Sequence, residues 1–125
     1  MTTLRFLGKR SHPTDSPTLY ATDHGGFVVQ GYLVTDPELL AALDLADNET
    51  VVEVPAKLMV HLAKDGLDGE IVSPIAPIVH VLPNGNYIVQ GTRITDPHVL
   101  GQMHIPNNES CVAVERSAMA ALVGG

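Results

Sequence analysis

Residues 16–65 and 76–125 are two copies of one sequence unit, offset by 60 positions without a gap. The match is clearest between Phe-Val-Val-Gln-Gly-Tyr-Leu-Val-Thr-Asp-Pro at 27–37 and Tyr-Ile-Val-Gln-Gly-Thr-Arg-Ile-Thr-Asp-Pro at 87–97. Fifteen of the 50 paired positions are identical, against roughly three expected from ordinary composition. A duplication of this kind predicts that the chain builds the same structural unit twice.

Each copy begins with a predicted β-hairpin. The predicted strands are 19–22 and 27–34 in the first copy, and 79–82 and 87–94 in the second. In the second copy Asn84-Gly85 predicts a type I′ turn, because both central residues of that turn have positive φ. Gly31 and Gly91 lie inside the second strand of each hairpin, which predicts a bulge or a close approach of the backbone.

The rest of each copy is predicted to be helix, strand and helix. Thr-Asp-Pro at 35–37 and at 95–97 is typical of a helix start, since Thr or Asp caps free amides and proline fits the first turn. Apolar residues then recur at helical spacing at Leu39, Leu40 and Leu43, and at Val99, Leu100 and Met103. The last predicted strands are 51–54 and 111–114, followed by short helices at 56–63 and 117–123.

The predicted fold class is α+β, with two tandem ββαβα repeats packed about a pseudo-twofold axis into one compact domain, 1–125. A single three-stranded unit cannot cover its own apolar face, so the copies are expected to pack on each other. The expected divisions are an N-terminal arm 1–15, repeat 1 at 16–65, a linker 66–75 and repeat 2 at 76–125.

Composition limits the classes of function. The chain has 45% hydrophobic and 17% charged residues, one cysteine and a net charge of −7, which is typical of a globular protein of a reducing cytoplasm. The first ten residues contain no apolar run typical of a secretory signal, and no run is long enough to span a membrane. The seven basic residues are scattered, and this disfavours nucleic-acid binding, which normally uses a basic stripe.

A few polar side chains are candidates for a ligand site or an interface. Gln30 and Gln90 occupy the middle of predicted strands, where a buried amide needs partners and could also contact a ligand. Asp36 and Asp96 are explained by helix capping, with a carboxylate pair near the pseudo-twofold axis as the alternative. The copies differ where Tyr32 and Leu33 of the first match Thr92 and Arg93 of the second, which suggests that their surfaces have diverged.

Other reactive residue types form no recognisable motif. The six histidines lack the spacing of metal ligands, so no metal or cofactor is expected, and no catalytic residue is assigned. Cys111 replaces Val51 of the first copy and is interpreted as a small apolar side chain. Glu49 and Glu109 are expected to lie in solvated turns.

The first repeat resembles small uncharacterised actinobacterial proteins that are often encoded beside helix-turn-helix regulators. The resemblance rests on Pro-Thr-Leu-Tyr-Ala-Thr at 17–22, Val-Val-Gln-Gly at 28–31, Thr-Asp-Pro at 35–37 and Val-Glu-Val-Pro at 52–55. The second repeat departs from this pattern at its opening, Ile-Val-His-Val-Leu at 78–82. The resemblance implies an accessory role in regulation.

Residues 34–45 and 48–54 are more distantly similar to the core of AbrB- and MazE-type swapped-hairpin proteins. The shared order is a strand, a proline, a one-turn helix ending in Leu-x-Leu, an acidic turn and a strand. Two tandem copies would imitate the dimer of that family within one chain. The basic residues with which the family contacts DNA are replaced, with Glu38 and His98 at that position.

These observations favour a non-enzymatic cytoplasmic module, monomeric or homodimeric, that binds a protein partner such as a transcription regulator or a toxin. Two alternatives remain. The first is a DNA-binding regulator of the swapped-hairpin type, and the second is a small-ligand or enzymatic site at the repeat interface around Gln30, Gln90, Asp36 and Asp96.

Overall fold

Antiparallel β structure dominates the computed structural model, which describes residues 2–9, 17–67, 69, 71, 75–103 and 105–123. Within these residues the chain forms a sheet of seven strands with a few short helices. The prediction of a mixed α and β fold is therefore confirmed at this level. No helix among the described residues is both long and apolar enough to cross a membrane.

The elements follow one another in the order strand, hairpin, helix, strand, helix and then hairpin, helix, strand, helix. The strands are β1 Leu4–Lys9, β2 Thr18–Thr22, β3 Phe27–Leu33, β4 Glu49–Val54, β5 Ile78–Val81, β6 Tyr87–Arg93 and β7 Glu109–Val114. The helices are α1 Pro37–Ala42, α2 Pro97–Leu100 and α3 Arg116–Leu122, with a 3₁₀ helix at Ala56–Asp65.

Four strands pair in a closed cycle, β3 with β4, β4 with β6, β6 with β7 and β7 with β3. Gln30 lies opposite Cys111 in the β3–β7 pair, and Gln90 lies opposite Val51 in the β4–β6 pair. The two pairs are at matching positions of the two sequence copies, because Gln90 follows Gln30 and Cys111 follows Val51 by 60 residues. Each of these two long pairs therefore contains one strand from each half of the chain.

The second hairpin turn differs from the predicted type I′ geometry. Among the described residues only glycines have positive φ, including Gly25 at 86° and Gly85 at 89°. The Gly85 amide donates to the Leu82 carbonyl at 2.9 Å, and the Leu82 amide donates to the Asn86 carbonyl at 2.9 Å. This is a type I turn followed by a left-handed glycine. Pro83 explains the difference, because its ring fixes φ near −65° and thereby favours type I at Pro83-Asn84.

The predicted close approach of the backbone at the strand glycines is confirmed. A Cβ atom on Gly31 would lie 2.5 Å from the Glu53 carbonyl oxygen, and a Cβ on Gly91 would lie 2.5 Å from the Ala113 carbonyl oxygen. Contacts this short do not occur for real side chains. Glycine is required at both positions because β3 and β4, and likewise β6 and β7, pass too closely for any other residue.

Strand β1 lies in the segment 1–15, which was predicted to be an N-terminal arm and not a strand. This strand pairs antiparallel with β2 and has an irregularity between Phe6 and Gly8. Its main chain is also held by side chains from later in the sequence, because Lys64 Nζ donates to the Leu7 carbonyl at 2.8 Å and the Leu4 amide donates to Gln102 Oε1 at 2.8 Å. These contacts join residues more than 50 positions apart, so local sequence patterns could not reveal them.

The core is aliphatic, as the composition requires. Strand residues that alternate toward the interior meet the apolar faces of the 3₁₀ helix and of α3. The members of this core larger than alanine with at most 1% exposure are Leu19, Phe27, Val29, Val52, Val54, Leu58, Leu62, Val89, Val112, Met119 and Leu122. Complete burial of a side chain of this size stabilises the fold by roughly 1.5–3 kcal/mol.

The helices after β3 and β6 are shorter than the apolar spacing predicts. Helix α1 ends at Ala42 and buries no residue, and α2 is a single turn that buries only Val99. Leu43 and Met103 therefore lie beyond the helices that their spacing predicted. The 3₁₀ helix, by contrast, buries Leu58, Met59 and Leu62 and ends at Gly66, which has φ 86°.

Candidate functional site

A cleft of about 580 Å³ lies where three strand ends meet. The β2–β3 turn and the start of β3 form one wall, the end of β6 and the start of α2 form another, and the junction of β7 with α3 closes the third side. Its floor is apolar and includes Phe27, Val28, Val99 and Val114. Both sequence copies contribute, so the cleft is an interface feature of the two halves.

Small residues keep this cleft open. Gly26 and Ala113 line it, and the matching positions of the other copy hold Asn86 and Glu53. There the Asn86 amide nitrogen Nδ2 donates to Glu53 Oε2 at 2.8 Å, so that the two longer side chains bridge from one strand to the next. Thr92 in the cleft also replaces the larger Tyr32. The same backbone frame therefore supports a bridge in one half and an opening in the other.

Charged groups of both signs line the cleft. Arg93 and Arg116 are present together with Asp96 and Glu115. Arg116 is fixed in place, because it forms an ion pair with Asp65 and its Nη2 donates to the Asp65 main-chain oxygen at 2.6 Å. The exposed Arg93 is held more loosely, through Nη2 to the Glu49 main-chain oxygen at 3.3 Å. The arrangement is an apolar floor surrounded by charged groups.

Arg116 also connects the cleft to the N-terminal strand. Its guanidinium carbon lies 5.9 Å from the centre of the Phe27 ring, a distance at which a cation is attracted to the ring face. Asp65, whose side chain is only 15% exposed, pairs with Arg5 of β1 as well as with Arg116. One carboxylate at the end of the 3₁₀ helix therefore ties β1 to the start of α3.

The two candidate glutamines each bind a glutamate of the other copy. Gln30 Nε2 donates to Glu109 Oε1 at 2.9 Å, and Gln90 Nε2 donates to Glu49 Oε1 at 2.9 Å. The expectation that Glu49 and Glu109 lie in solvated turns is wrong. Each is the first residue of a strand, Glu109 is only 6% exposed and Glu49 is half-buried. Sequence reasoning missed both glutamates because an Asn-Glu sequence is typical of a turn. Their partner glutamines lie far away in the chain, so the hydrogen bonds are visible only in the structure.

The surroundings of the two pairs differ. Gln30 is 1% exposed, whereas Gln90 is half-buried and lines a second cavity of about 310 Å³ together with Glu49. The second cavity shares Thr92, Ala113 and other residues at the end of β7 with the larger cleft, so the two openings are neighbours. Of the predicted candidates, the structure brings Arg93 and Asp96 to the cleft and Gln90 to the cavity beside it.

Asp36 and Asp96 act as helix caps. Asp36 Oδ1 accepts from the Glu38 amide at 3.0 Å, and Asp96 Oδ1 accepts from the His98 amide at 2.9 Å. Both aspartates are exposed. The capping interpretation of the Thr-Asp-Pro motif is therefore confirmed.

Tyr32 is half-buried near the end of β3, opposite both Glu53 and Glu109.

Cys111 is buried in β7, where the apolar surroundings raise the pKa of its thiol to about 11. A thiol with a raised pKa is a poor nucleophile, because the thiolate is the reactive form. Its interpretation as a small apolar side chain is confirmed. Burial also raises the pKa of Tyr20. The pKa of His61 is lowered mainly by burial and to a smaller extent by the positive charge of Lys64.

Within the part of the chain that the structure describes, no three His, Cys, Asp or Glu side chains are grouped closely enough to hold a metal ion. Two of the six histidines, His12 and His104, lie outside these residues. Comparisons with models of known protein families, with curated proteins and with solved structures give no match for this chain.

Proposed function

We propose that this chain is a non-enzymatic cytoplasmic module that binds a protein partner, as an accessory to a transcription regulator or in the manner of an antitoxin. The observation that carries the proposal is the cleft of about 580 Å³ built by both halves of the chain. Its apolar floor and charged surround have the anatomy of a protein-binding hot spot, in which a partner side chain enters a desolvated pocket inside a polar rim.

The fold that presents this cleft is, in this proposal, a pair of ββαβα repeats related by a pseudo-twofold axis. Two observations support this arrangement. The β3–β7 and β4–β6 pairs have matching registers, and each of the two Gln–Glu hydrogen bonds joins a residue of one half to a residue of the other. A duplicated binding protein can keep one copy of a surface for binding and fill the other. The Glu53–Asn86 bridge, at the positions that match Ala113 and Gly26 of the cleft, fits that history.

Charge supports a protein partner with a basic surface. The chain has a net charge of −7, and oppositely charged surfaces accelerate association and discriminate against acidic competitors. The resemblance of the first repeat to proteins encoded beside helix-turn-helix regulators favours such a regulator, whose DNA-binding surface is necessarily basic.

The test is an affinity pull-down from the native cytoplasm, with mass spectrometry of the proteins that co-elute. The wild type is compared with a Gly26→Asn/Ala113→Glu variant, which copies the Asn86–Glu53 bridge into the cleft. The matched control is Asn86→Gly/Glu53→Ala, which changes the same residue types in the other half. Circular dichroism checks that both variants fold.

The proposal expects one stoichiometric protein with the wild type and the control, and its loss from the cleft variant. Retention should fall at high salt, because charge complementarity is screened. A partner retained equally by all three proteins would place binding elsewhere and refute the role of the cleft. An empty eluate from the wild type would refute the interaction module itself.

Direct DNA binding is a second candidate, favoured by one observation. The long strand pairs join the two halves reciprocally, as expected for a swapped-hairpin arrangement. With a net charge of −7 the chain must offer a local basic surface for this to work. A gel shift at low salt tests it. Absence of retardation at tens of micromolar protein removes the candidate, and retardation that vanishes with added salt supports it.

A further inference from the structure

The second cavity, of about 310 Å³, lies where β6 leaves β5 and meets β7. Its walls come from the segment before and within β5, the middle of β6, and the junction of β7 with α3. Pro77, Val79 and Ala118 supply apolar wall, and Glu49 and Gln90 supply polar groups. The cavity is therefore amphipathic, with an aliphatic side and a hydrogen-bonding side.

The charge on the lining is of one sign. Among the described residues that line this cavity, the ionisable ones are Glu49 and Glu115, both carboxylic acids. The Arg93 guanidinium donates to the Glu49 main-chain oxygen and lines the larger cleft. Within the described part of the chain the Glu49 carboxylate forms no ion pair. The lining is thus complementary to a cation.

Glu49 is positioned with one carboxylate oxygen in use. Its Oε1 accepts from Gln90 Nε2 at 2.9 Å and from the Ala46 amide at 3.0 Å. Both hydrogen bonds to this side chain from described residues go to the same oxygen, which leaves Oε2 as an acceptor for another donor. Two donors on Oε1 hold the half-buried carboxylate in a fixed orientation, a condition for binding a ligand without a large cost in side-chain entropy.

The matching region of the other copy has larger apolar side chains. Leu58 and Leu19, which match Ala118 and Val79, are 1% and 0% exposed. There the Gln30–Glu109 pair is almost completely buried, and Gln30 lies opposite Thr18 in the β2–β3 pair. Ala118 lines the cavity with three carbon atoms fewer than the leucine at the matching position of the other copy.

We propose that this cavity binds an alkylammonium group, with the cationic head on Glu49 and the aliphatic stem against Pro77, Val79 and Ala118. An ammonium carries three donors and no acceptor, which suits a carboxylate oxygen beside the Gln90 amide. The stem gains from leaving water for the apolar wall. The same chemistry is offered by a lysine side chain of a bound protein and by a free aliphatic amine. The site does not depend on the partner proposed for the larger cleft.

The experiment is a titration of the full chain, followed by chemical shifts of the Gln90 side-chain amide. The probes are n-butylamine, N-acetyl-lysine methylamide and the uncharged n-butanol. Glu49→Gln is the main variant, since glutamine keeps an oxygen for the Gln90 and Ala46 donors and removes the charge. Ala118→Leu copies the closed half of the chain, and Glu109→Gln is the matched control at the buried pair.

Both amines are expected to shift the Gln90 signal saturably, while butanol does not. Glu49→Gln should weaken amine binding about tenfold, as expected when about 1.4 kcal/mol of charge-assisted interaction is lost, and Ala118→Leu should abolish it. Glu109→Gln should leave it within about twofold. Tighter binding of the lysine derivative would identify a protein side chain as the source, and tighter binding of butylamine a free amine.

The proposal is overturned if butanol binds as well as butylamine, if Glu49→Gln binds the amines as tightly as the wild type, or if neither amine binds. The outcome is separate from that of the pull-down, because the titration uses no partner protein and its variants change Glu49 and Ala118, which line the smaller cavity and not the larger cleft. Amine binding with an empty pull-down would retain this site and refute only the interaction module.

Discussion

The two Gln–Glu pairs of this chain have the same hydrogen bond and different surroundings. Gln30 donates to Glu109 in a buried position, and Gln90 donates to Glu49 at the edge of a cavity, each across 2.9 Å. The first pair is almost completely buried, whereas Gln90 and Glu49 are half-buried and line a cavity together with Ala118. The same hydrogen bond is therefore sealed in one half and lies at a cavity in the other.

The largest expected difference between the halves comes from removing the glutamine amides. In Gln30→Leu the buried Glu109 carboxylate loses its donor where water cannot replace it, and we expect a loss of about 3 kcal/mol in the free energy of unfolding. In Gln90→Leu, Glu49 keeps the Ala46 amide and gains water, so about 1 kcal/mol is expected. Urea denaturation of both variants measures the difference, and equal losses would break the comparison.

The strand glycines should behave more alike. Gly31→Ala and Gly91→Ala each place a Cβ atom about 2.5 Å from a carbonyl oxygen of the crossing strand. Since the neighbour is backbone in both cases, it cannot rotate away, and each variant should lose about 2 kcal/mol of stability. The same denaturation series measures both variants. Loss at only one glycine would show that the close strand approach is real in only one half.

Many of the paired strands and the capped helix starts can be predicted from the sequence. The repeat of Gln-Gly at 30–31 and 90–91 predicts the strands and the close approach, and the Thr-Asp-Pro motif predicts the capped helix starts. The tandem repeat architecture itself stays a prediction. Strand β1 was not predicted because it depends on distant contacts. β1 is held by Lys64 and Gln102, and no local pattern reports partners at such separations.

The candidate site was predicted only in part, for a physical reason. Gln90, Arg93 and Asp96 were chosen as unusual residues in otherwise regular elements, and the structure places them on the two openings. Glu49 and Arg116 were missed because their roles follow from which side chain lies opposite them. The openings themselves result from small residues such as Ala113 and Ala118, and an alanine gives no signal in a sequence that has many.

The smallest expected effect concerns Cys111, which lies opposite Gln30 where Val51 lies opposite Gln90. Cys111→Val makes the two halves alike and should change stability at pH 7 by less than about 1 kcal/mol. Burial raises the pKa of the thiol from 9.0 to about 11. Its contribution is therefore complete below pH 9, and is lost as pH rises toward 11, because the unfolded chain releases the proton first.

The variant should lose less stability than the wild type between pH 9 and pH 11. Part of the alkaline loss is expected to remain in both proteins, since burial also raises the pKa of Tyr20. Thermal unfolding at a series of pH values measures both curves. Parallel curves for the two proteins would mean that the thiol is not buried as described.

The most direct test of a sealed half and an open half is hydrogen exchange of the two glutamine side-chain amides, measured by NMR on the native chain. The Nε2 protons of Gln30 should exchange at least about tenfold more slowly than those of Gln90, because exchange of a buried amide requires local opening. Slow exchange at Gln30 with fast exchange at Gln90 would support the account. Equal rates at the two side chains, whether fast or slow, would contradict it.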